Sequence, residues 1–490
     1  MVELNLKVLG DRKIEKIHRT TLKVLEDTGV KVCLPRAVEM LKKAGAKVGK
    51  SDQVHIPAKL VENAVAASPK SMTIFNRNGE EAMCLEDDRT YYGTGPTVPM
   101  VLDPFSGERR ESCRGDIEKA ALLCDALKNI DYVMSMGLSG GSDPRRHGLH
   151  PEFTDRLDFE AMLRHTVKPI IFSAWSLQGL RDIYDMAAVV AGGNQSLAAR
   201  PSAIHYAEPT SPLVHSPASL EKLLFCADKR MPFLYMGGPL AGGTAPVTLA
   251  GQLVLSNAEC LSGLVLHQLC SPGAPFIYGV GSNPMDMRTT LAAYCGPDAY
   301  LSCIAGKELS DYYGLPDFNF GGVSDSNAMD GQMTWEAGFS LLQAELCGSN
   351  LVHDVGYLES GMTACLELIV FCDEVIDELR HFKNGLTVNE DHLAAEVIDQ
   401  IGPGGSYLGH DHTFKHFREI WYPALRNRDR FENWQKAGGL SLEKKLNARV
   451  RHILETHHPE PLSPGSESKI KAIMQKAAER YGRPGHRSQA

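Results

Sequence analysis

The sequence predicts an α/β chain organised around a (β/α)8 TIM barrel, with an N-terminal α/β extension and a C-terminal helical extension. Three observations lead there. Short, nearly continuous apolar runs recur at 132–136, 169–172, 203–206, 232–236, 275–280, 318–323 and 351–353. Strands buried on both faces read this way, rather than alternating. Helical patterns fill the intervals, so strand and helix succeed one another as in a barrel. Finally, no G-x-G-x-x-G turn follows an early strand, as a doubly wound dinucleotide fold would want. Seven strands are countable, and an eighth is expected near residues 91–97 or after Lys383.

Residues 1–90 form the expected α/β extension. Ile14, Ile17, Thr21, Leu22 and Leu25 recur at helical spacing, with Gly29 as the stop. Helical patterns follow at 35–44 and 57–67, and residues 47–57 and 72–79 look like strands or hairpins. The barrel is expected over 91–385. Its helices include 116–127, one opened by Ser216 and Pro217 as N-cap and N1, one after Pro246, and one over 328–347. Gly348 sits where that last helix should end. From 386 to 490 the chain is helical and polar, with an amphipathic run at 470–481. Its last nine residues, 482–490, are expected to be disordered.

Composition narrows the function. At 490 residues with 43% apolar and 23% charged, the chain reads as an ordinary globular protein. A net charge of −9 argues against a nucleic-acid or anionic-membrane surface. The N-terminus has no apolar signal-peptide core, and no apolar stretch is expected to reach the roughly 18 residues of a membrane span. Twelve scattered cysteines, with no C-x-x-C pair, read as thiols of a reducing compartment, so the expected location is cytoplasmic.

In a barrel, chemistry gathers where the strands end. Those ends offer Ser173 and Trp175; His205, Tyr206 and Glu208; Gly237 and Gly238; Tyr278 and Asn283; Asp325, Ser326 and Asn327; and His353, Asp354, Tyr357 and Glu359. Aromatic rings around a concave site can hold a quaternary ammonium by cation–π attraction. No metal is expected. His410, His412 and His416 stand at i, i+2, i+6, which does not put three imidazoles on one helical face, and no acid or cysteine completes an obvious zinc set. They read as a surface turn or a cap over the barrel mouth. The glycine-rich stretch 237–243 lacks the G-K-[ST] ending of a P-loop and reads as a loop lining the mouth.

Three stretches, GGVSDSNAMDGQ at 321–332, SNLVHDVGYLESG at 349–361 and GGSYLGHDHTFKHFREIWYP at 404–423, together resemble the trimethylamine methyltransferase superfamily of corrinoid-dependent methyltransferases. The likeness spans nearly the whole chain. It implies a barrel whose mouth docks a separate corrinoid (cobalamin-binding) protein. No cofactor is then held by the chain itself, and cob(I)alamin arrives on that partner. Founding members carry pyrrolysine after the sixth strand. Here Asn327 falls at or next to that position, and no lysine occurs between Lys307 and Lys383. The resemblance is therefore to the non-pyrrolysine branch, which acts on quaternary amines.

The implied reaction moves a methyl group from a quaternary amine to the corrinoid, with glycine betaine the first substrate expected. Proline betaine, carnitine and γ-butyrobetaine are alternatives, as is a non-catalytic betaine-binding protein on the same barrel. Asp325, Asn327 and Glu359 are the catalytic candidates. Trp175, His205, Tyr206, Tyr278, Arg288, His353 and Tyr357 are the substrate-binding candidates, with Arg288, His205 and His353 able to meet a substrate carboxylate. Gly237, Gly238 and Asn283 are the candidates on the cofactor side. Large apolar barrel helices make a homo-oligomer the expected assembly. A barrel aldolase would need a strand lysine for a Schiff base, and none of the seven runs contains one.

Overall fold

The eighth barrel strand is the one that comes first along the barrel. In the computed structural model, which describes residues 5–281 and 283–481, Tyr91–Tyr92 (β1) opens the barrel. Residues 132–133 (β2) follow, then Ile170–Phe172 (β3), Ala203–Ala207 (β4), Phe233–Gly237 (β5), Phe276–Val280 (β6), Asp317–Phe320 (β7) and Leu351–His353 (β8). Every neighbouring pair is parallel. Leu351 pairs with Tyr91, and single bridges from Gly93 to Tyr132 and from Val133 to Ile170 carry the ring through β2. The sheet therefore closes on itself, and no strand edge is left open.

Inside the ring, Tyr132, Met134, Ile171, Ile204, Leu234, Ile277, Phe318 and Leu351 form one apolar cluster. The hairpin Met72–Phe75 and Glu81–Leu85 closes its floor, contributing Ile74, Met83 and Leu85. That hairpin hangs on the N-terminal strand ends, where the Phe75 N–H donates to Pro201 and the Arg77 N–H to Val167. One end of the barrel is thus plugged, and only the C-terminal end is available to a ligand.

The helices keep the signals that the sequence carries, with shifts where a side chain competes. Ser216 caps Pro217–Lys229 by accepting from the Ser219 N–H, and Gly348 ends Gly331–Cys347 at φ +73°. That helix begins at Gly331, not at 328, because Asp330 caps it by accepting from the Met333 N–H, while the Ser326 hydroxyl lies within reach of the Ala328 carbonyl and Asp330 and holds 326–330 as a turn. Strand β7 stops at Phe320, short of the expected 323, as Gly322 turns the chain at φ +72°. The expectation of no membrane-length apolar run is corrected. Leu249–Cys270 has the length and hydropathy of a span, but it packs on β5, β6 and three N-terminal helices as a core helix.

Beyond the barrel's last helix, Leu366–Lys383, the chain leaves from the plugged end, where Lys383 Nζ donates to the Asp88 carbonyl. Residues 384–440 then form an arm in which Pro423 alone is buried. The histidine segment lies within this arm, on the short helix Asp411–His416 and the turn before it, as the surface-turn reading has it. The chain returns to the barrel with Leu442–Thr456 and Pro464–Arg480. The latter packs on Leu177–Ala191 around the fully buried Arg156, which pairs with Asp155 at 2.8 Å and Asp182 at 3.1 Å. The expected disordered tail, 482–490, lies outside the described residues.

Candidate active site

Side chains at the C-terminal ends of β4, β7 and β8 converge over the apolar cluster. On β7 and β8 the Phe318 and His353 rings lie face to face, with centroids 3.9 Å apart and planes 1° from parallel. Tyr206 of β4 approaches Phe318 at 5.7 Å, and its hydroxyl donates to Glu208. On the next loop Tyr294 meets Phe320 edge to face at 5.4 Å. Tyr357 closes the far side, donating its hydroxyl to the Pro96 carbonyl.

Two carboxylates sit among these rings. Glu208 presents open surface to the mouth although protein surrounds it on all other sides. Burial is the main reason its carboxyl is held above the usual range; Asp354 adds to the shift, while the Tyr206 hydroxyl and His353 oppose it. Asp354 is buried and stands with Oδ1 2.6 Å from His353 Nδ1, off the direction of a hydrogen bond. Burial first, and then these carboxylates, push the phenols of Tyr206 and Tyr294 well above their ordinary range. The mouth is therefore a ring-lined cup with two acids and one imidazole, and no lysine or arginine is among these side chains.

Backbone geometry serves this packing. Asp354 adopts φ +72°, a conformation that costs a non-glycine residue about 1 kcal/mol or more. Gly95 is needed opposite it, since a Cβ there would overlap both the Tyr357 ring and the Asp354 carboxylate.

The predicted site residues divide. Tyr206, His353 and Tyr357 meet in the cup. Trp175 stands about half exposed on the rim over β3, its indole N–H donating to Thr154 at 3.0 Å and its backbone N–H accepted by Asp155 at 2.9 Å. His205 and Tyr278 face away from the cup. His205 lies between Phe172 and Phe233 in the outer layer, and Tyr278 donates to Asn257 of Leu249–Cys270 at 2.8 Å. The period-two alternation of a strand sends them out where their neighbours Tyr206 and Ile277 point in.

Asp325 is a brace. It accepts from the Tyr294 and Cys295 N–H groups at 3.2 and 2.9 Å and from the Ser360 hydroxyl at 2.8 Å, so it fixes the loop that carries Tyr294. Asp325, Cys295 and Glu336 lie close enough to share a metal ion. Both Asp325 oxygens already accept hydrogen bonds, and Glu336 accepts from Ser324 and the Asp325 N–H. Glu359 faces Arg109 at 2.8 Å and Thr363 at 2.6 Å. Asn327 is exposed on a separate groove of about 700 Å3, shared with Arg109, Met329 and Arg451. Arg288 is exposed on the loop after β6 and pairs only weakly with Asp286, at 3.3 Å. Gly237 packs on the Ser256 carbonyl, Gly238 borders Glu208, and the Asn283 carbonyl accepts from the Ala241 N–H at 3.2 Å, tying two mouth loops together.

Glu208 and Asp354 were visible as strand-end acids, but only the fold shows them entering the cup. Tyr294 carried no signal, since it lies 14 residues past β6 and the Asp325 brace returns it.

The profile of the trimethylamine methyltransferase (MTTB) family matches residues 3–482. The chain belongs to that family. It is a methyltransferase. It is 30% identical over 477 residues to a glycine betaine methyltransferase of Desulfitobacterium hafniense strain Y51, covering 97% of this chain and 98% of that one. It is also 30% identical over 486 residues to the trimethylamine methyltransferase MttB of Methanosarcina barkeri, covering 97% and 96%. Among solved structures, the monomethylamine methyltransferase (MtmB) of Methanosarcina barkeri superposes with a TM-score of 0.51 at 10% identity, over 95% of this chain and 88% of that one. At that identity the likeness supports the barrel fold alone.

Proposed function

We propose that this methyltransferase takes a methyl group from a quaternary amine, glycine betaine first, and passes it to a separate corrinoid protein docked at the mouth. The observation that carries the reading is the cup itself: Tyr206, Tyr294, Phe318 and Tyr357 around Glu208 and Asp354. Rings and acids together suit a permanent cation, and cation–π attraction in a desolvated site reaches about 2 kcal/mol. The similarity to a glycine betaine methyltransferase over almost its full length supports the same substrate class.

The chain's residues then bind, aim and dry the substrate. The plugged floor leaves one way out, so an ammonium held on the partly exposed Tyr206 and Tyr294 rings directs a methyl toward the opening. A reduced corrinoid on the partner supplies the methyl acceptor. Since the departing amine leaves neutral, no side chain has to give it a proton, and the phenols with raised pKa stay protonated. Positioning and exclusion of water become the main catalytic contributions. Exposed Val247, Met287 and Leu291 on the loops after β5 and β6 give the partner an apolar rim to dock on.

One observation favours a second reading. A substrate carboxylate finds only His353 inside the cup, beside two acids that repel it. Arg288, on the outer loop, suits a betaine whose carboxylate lies farther from the nitrogen, as in carnitine or γ-butyrobetaine. We propose, too, that the chain assembles as a homo-oligomer, supported by the exposed Leu386, Val388, Phe414 and Ile420 of the arm.

The test is methyl transfer by the purified chain with a reduced corrinoid protein and a panel of betaines, trimethylamine and trimethylammonium salts. The reading expects stoichiometric dimethylamino product from at least one betaine. Transfer from trimethylamine alone, or from no quaternary amine, overturns it.

A further inference from the structure

The arm of residues 384–440 has almost nothing buried to hold it. A segment of that size without a core needs a staple. Its three histidines at 410, 412 and 416 do not converge on their own, but the fold adds residues from two other turns. His412 and His416 lie one helical turn apart on Asp411–His416, with ring centroids 4.4 Å apart. His392 comes from the helix Glu390–Leu393 and reaches 4.8 Å from the His416 ring. Asp391 is the acid that only the fold brings in, and Glu419 stands three residues after His416. His410 stands aside, accepting from the His412 N–H.

We propose that Asp391, His412 and His416 bind a divalent transition-metal ion of the zinc class, which staples the arm. Their donor atoms already lie within 4.8 Å of one another, and a tetrahedral zinc site needs about 3.4 Å between donors. The arm has no packed core to resist that contraction. The surroundings are those of a ligand histidine. Glu419 Oε1 lies 2.6 Å from His416 Nδ1, which fixes the proton there and leaves Nε2 free to ligate. That Nε2 is buried, lacks a hydrogen-bond partner and stands 3.2 Å from Asp391 Oδ2. His412 Nε2 lies on the same side and donates to the Asp391 carbonyl at 3.0 Å, a hydrogen bond that the ion replaces as Nε2 gives up its proton. His392, 3.2 Å from Glu419, anchors the acid that orients His416. Lys415, which holds Asp391 at 2.5 Å, is the exposed partner that the ion displaces. Imidazole and carboxylate donors suit zinc and neighbouring divalent ions over magnesium or calcium.

The experiment uses the full chain. It is incubated with zinc chloride, desalted and assayed for bound metal, alongside Asp391→Asn, the double variant His412→Ala/His416→Ala, and His452→Ala as a control at an exposed histidine outside the arm. The proposal expects about one zinc per chain in the wild type and the control, and loss of that equivalent in the double variant. Asp391→Asn should weaken zinc binding about tenfold or more. Cobalt(II) added to the wild-type chain gives a readout that needs no variant: visible ligand-field bands of a four-coordinate site. Proteolysis within 386–420 should slow on adding zinc and recover with a chelator. Zinc uptake equal in wild type and double variant, or wild-type chain that takes up no zinc and shows no cobalt bands, overturns it.

Discussion

His353 lies flat on Phe318, 3.9 Å between centroids and 1° between planes, so the imidazole of β8 is held by its neighbour on β7. One face of Phe318 is thereby taken, and the ring also borders Tyr206 on the other side of the cup. Phe318→Leu removes an aromatic pair and leaves His353 unsupported. Its expected effects are a loss of about 1–3 kcal/mol in stability and a KM for the quaternary amine raised about tenfold. Urea denaturation and steady-state kinetics read the two separately. An unchanged KM would take the stack out of the substrate site.

Glu208 should act as a charge that has to be ionised. Burial raises its pKa, so lowering the pH through that raised value neutralises it while free carboxylates elsewhere remain charged. KM for a permanent cation should therefore rise on the acid side in the wild type. In Glu208→Gln it should be high throughout, by about 10- to 100-fold, and flat with pH over the same range. Kinetics across an acid-to-neutral series check this. An acid limb that persists unchanged in the variant would assign the titration to another group.

Gly95→Ala places a methyl group against the Tyr357 ring and the Asp354 carboxylate. Overpacking of this kind costs about 1–3 kcal/mol. Because both displaced groups belong to the cup, activity should fall more than stability does. A variant that is folded, slightly less stable and almost inactive is the expected outcome of thermal melts and turnover assays. Full activity would mean that neither group is needed in place.

Asp158 offers a test of linkage. Its buried carboxyl, which accepts from the Ser139 N–H at 2.9 Å, is pushed up to about 7 by burial. An unfolded aspartate titrates near 3.9. Between those values the folded chain binds the extra proton, so this residue costs stability progressively as pH rises through the window and no further above it. Asparagine keeps an acceptor for Ser139 and carries no charge. Asp158→Asn should thus be more stable than wild type at pH 8, by on the order of 2 kcal/mol, with the advantage gone near pH 4. Denaturation at both pH values decides it.

Much of the barrel was legible because its signal is local. Buried parallel strands are continuous apolar runs, and Ser216, Pro217 and Gly348 mark helix ends by their own chemistry. The strand without that signal is β1, only two residues long and set after a run of turns. The site was legible as a region but not residue by residue. Adjacent strand residues such as His205 and Tyr206 point to opposite sides, and the register that decides between them belongs to the whole sheet. Trp175 was readable as a strand-end ring, yet its place on the rim is set by Thr154 and Asp155 of a different element. The same limit hid the arm's cluster, since Asp391 and His392 reach the histidines only after the chain folds back, while Glu419 follows His416 by three residues.

The central claim is that the cup recognises positive charge, and one measurement addresses it directly. Calorimetric titration of the wild-type chain compares glycine betaine with 3,3-dimethylbutanoate, which keeps shape and carboxylate but has carbon in place of the charged nitrogen. The account predicts that the betaine binds at least about tenfold more tightly, a difference of roughly 1.4 kcal/mol or more. Equal affinity for the two would contradict it.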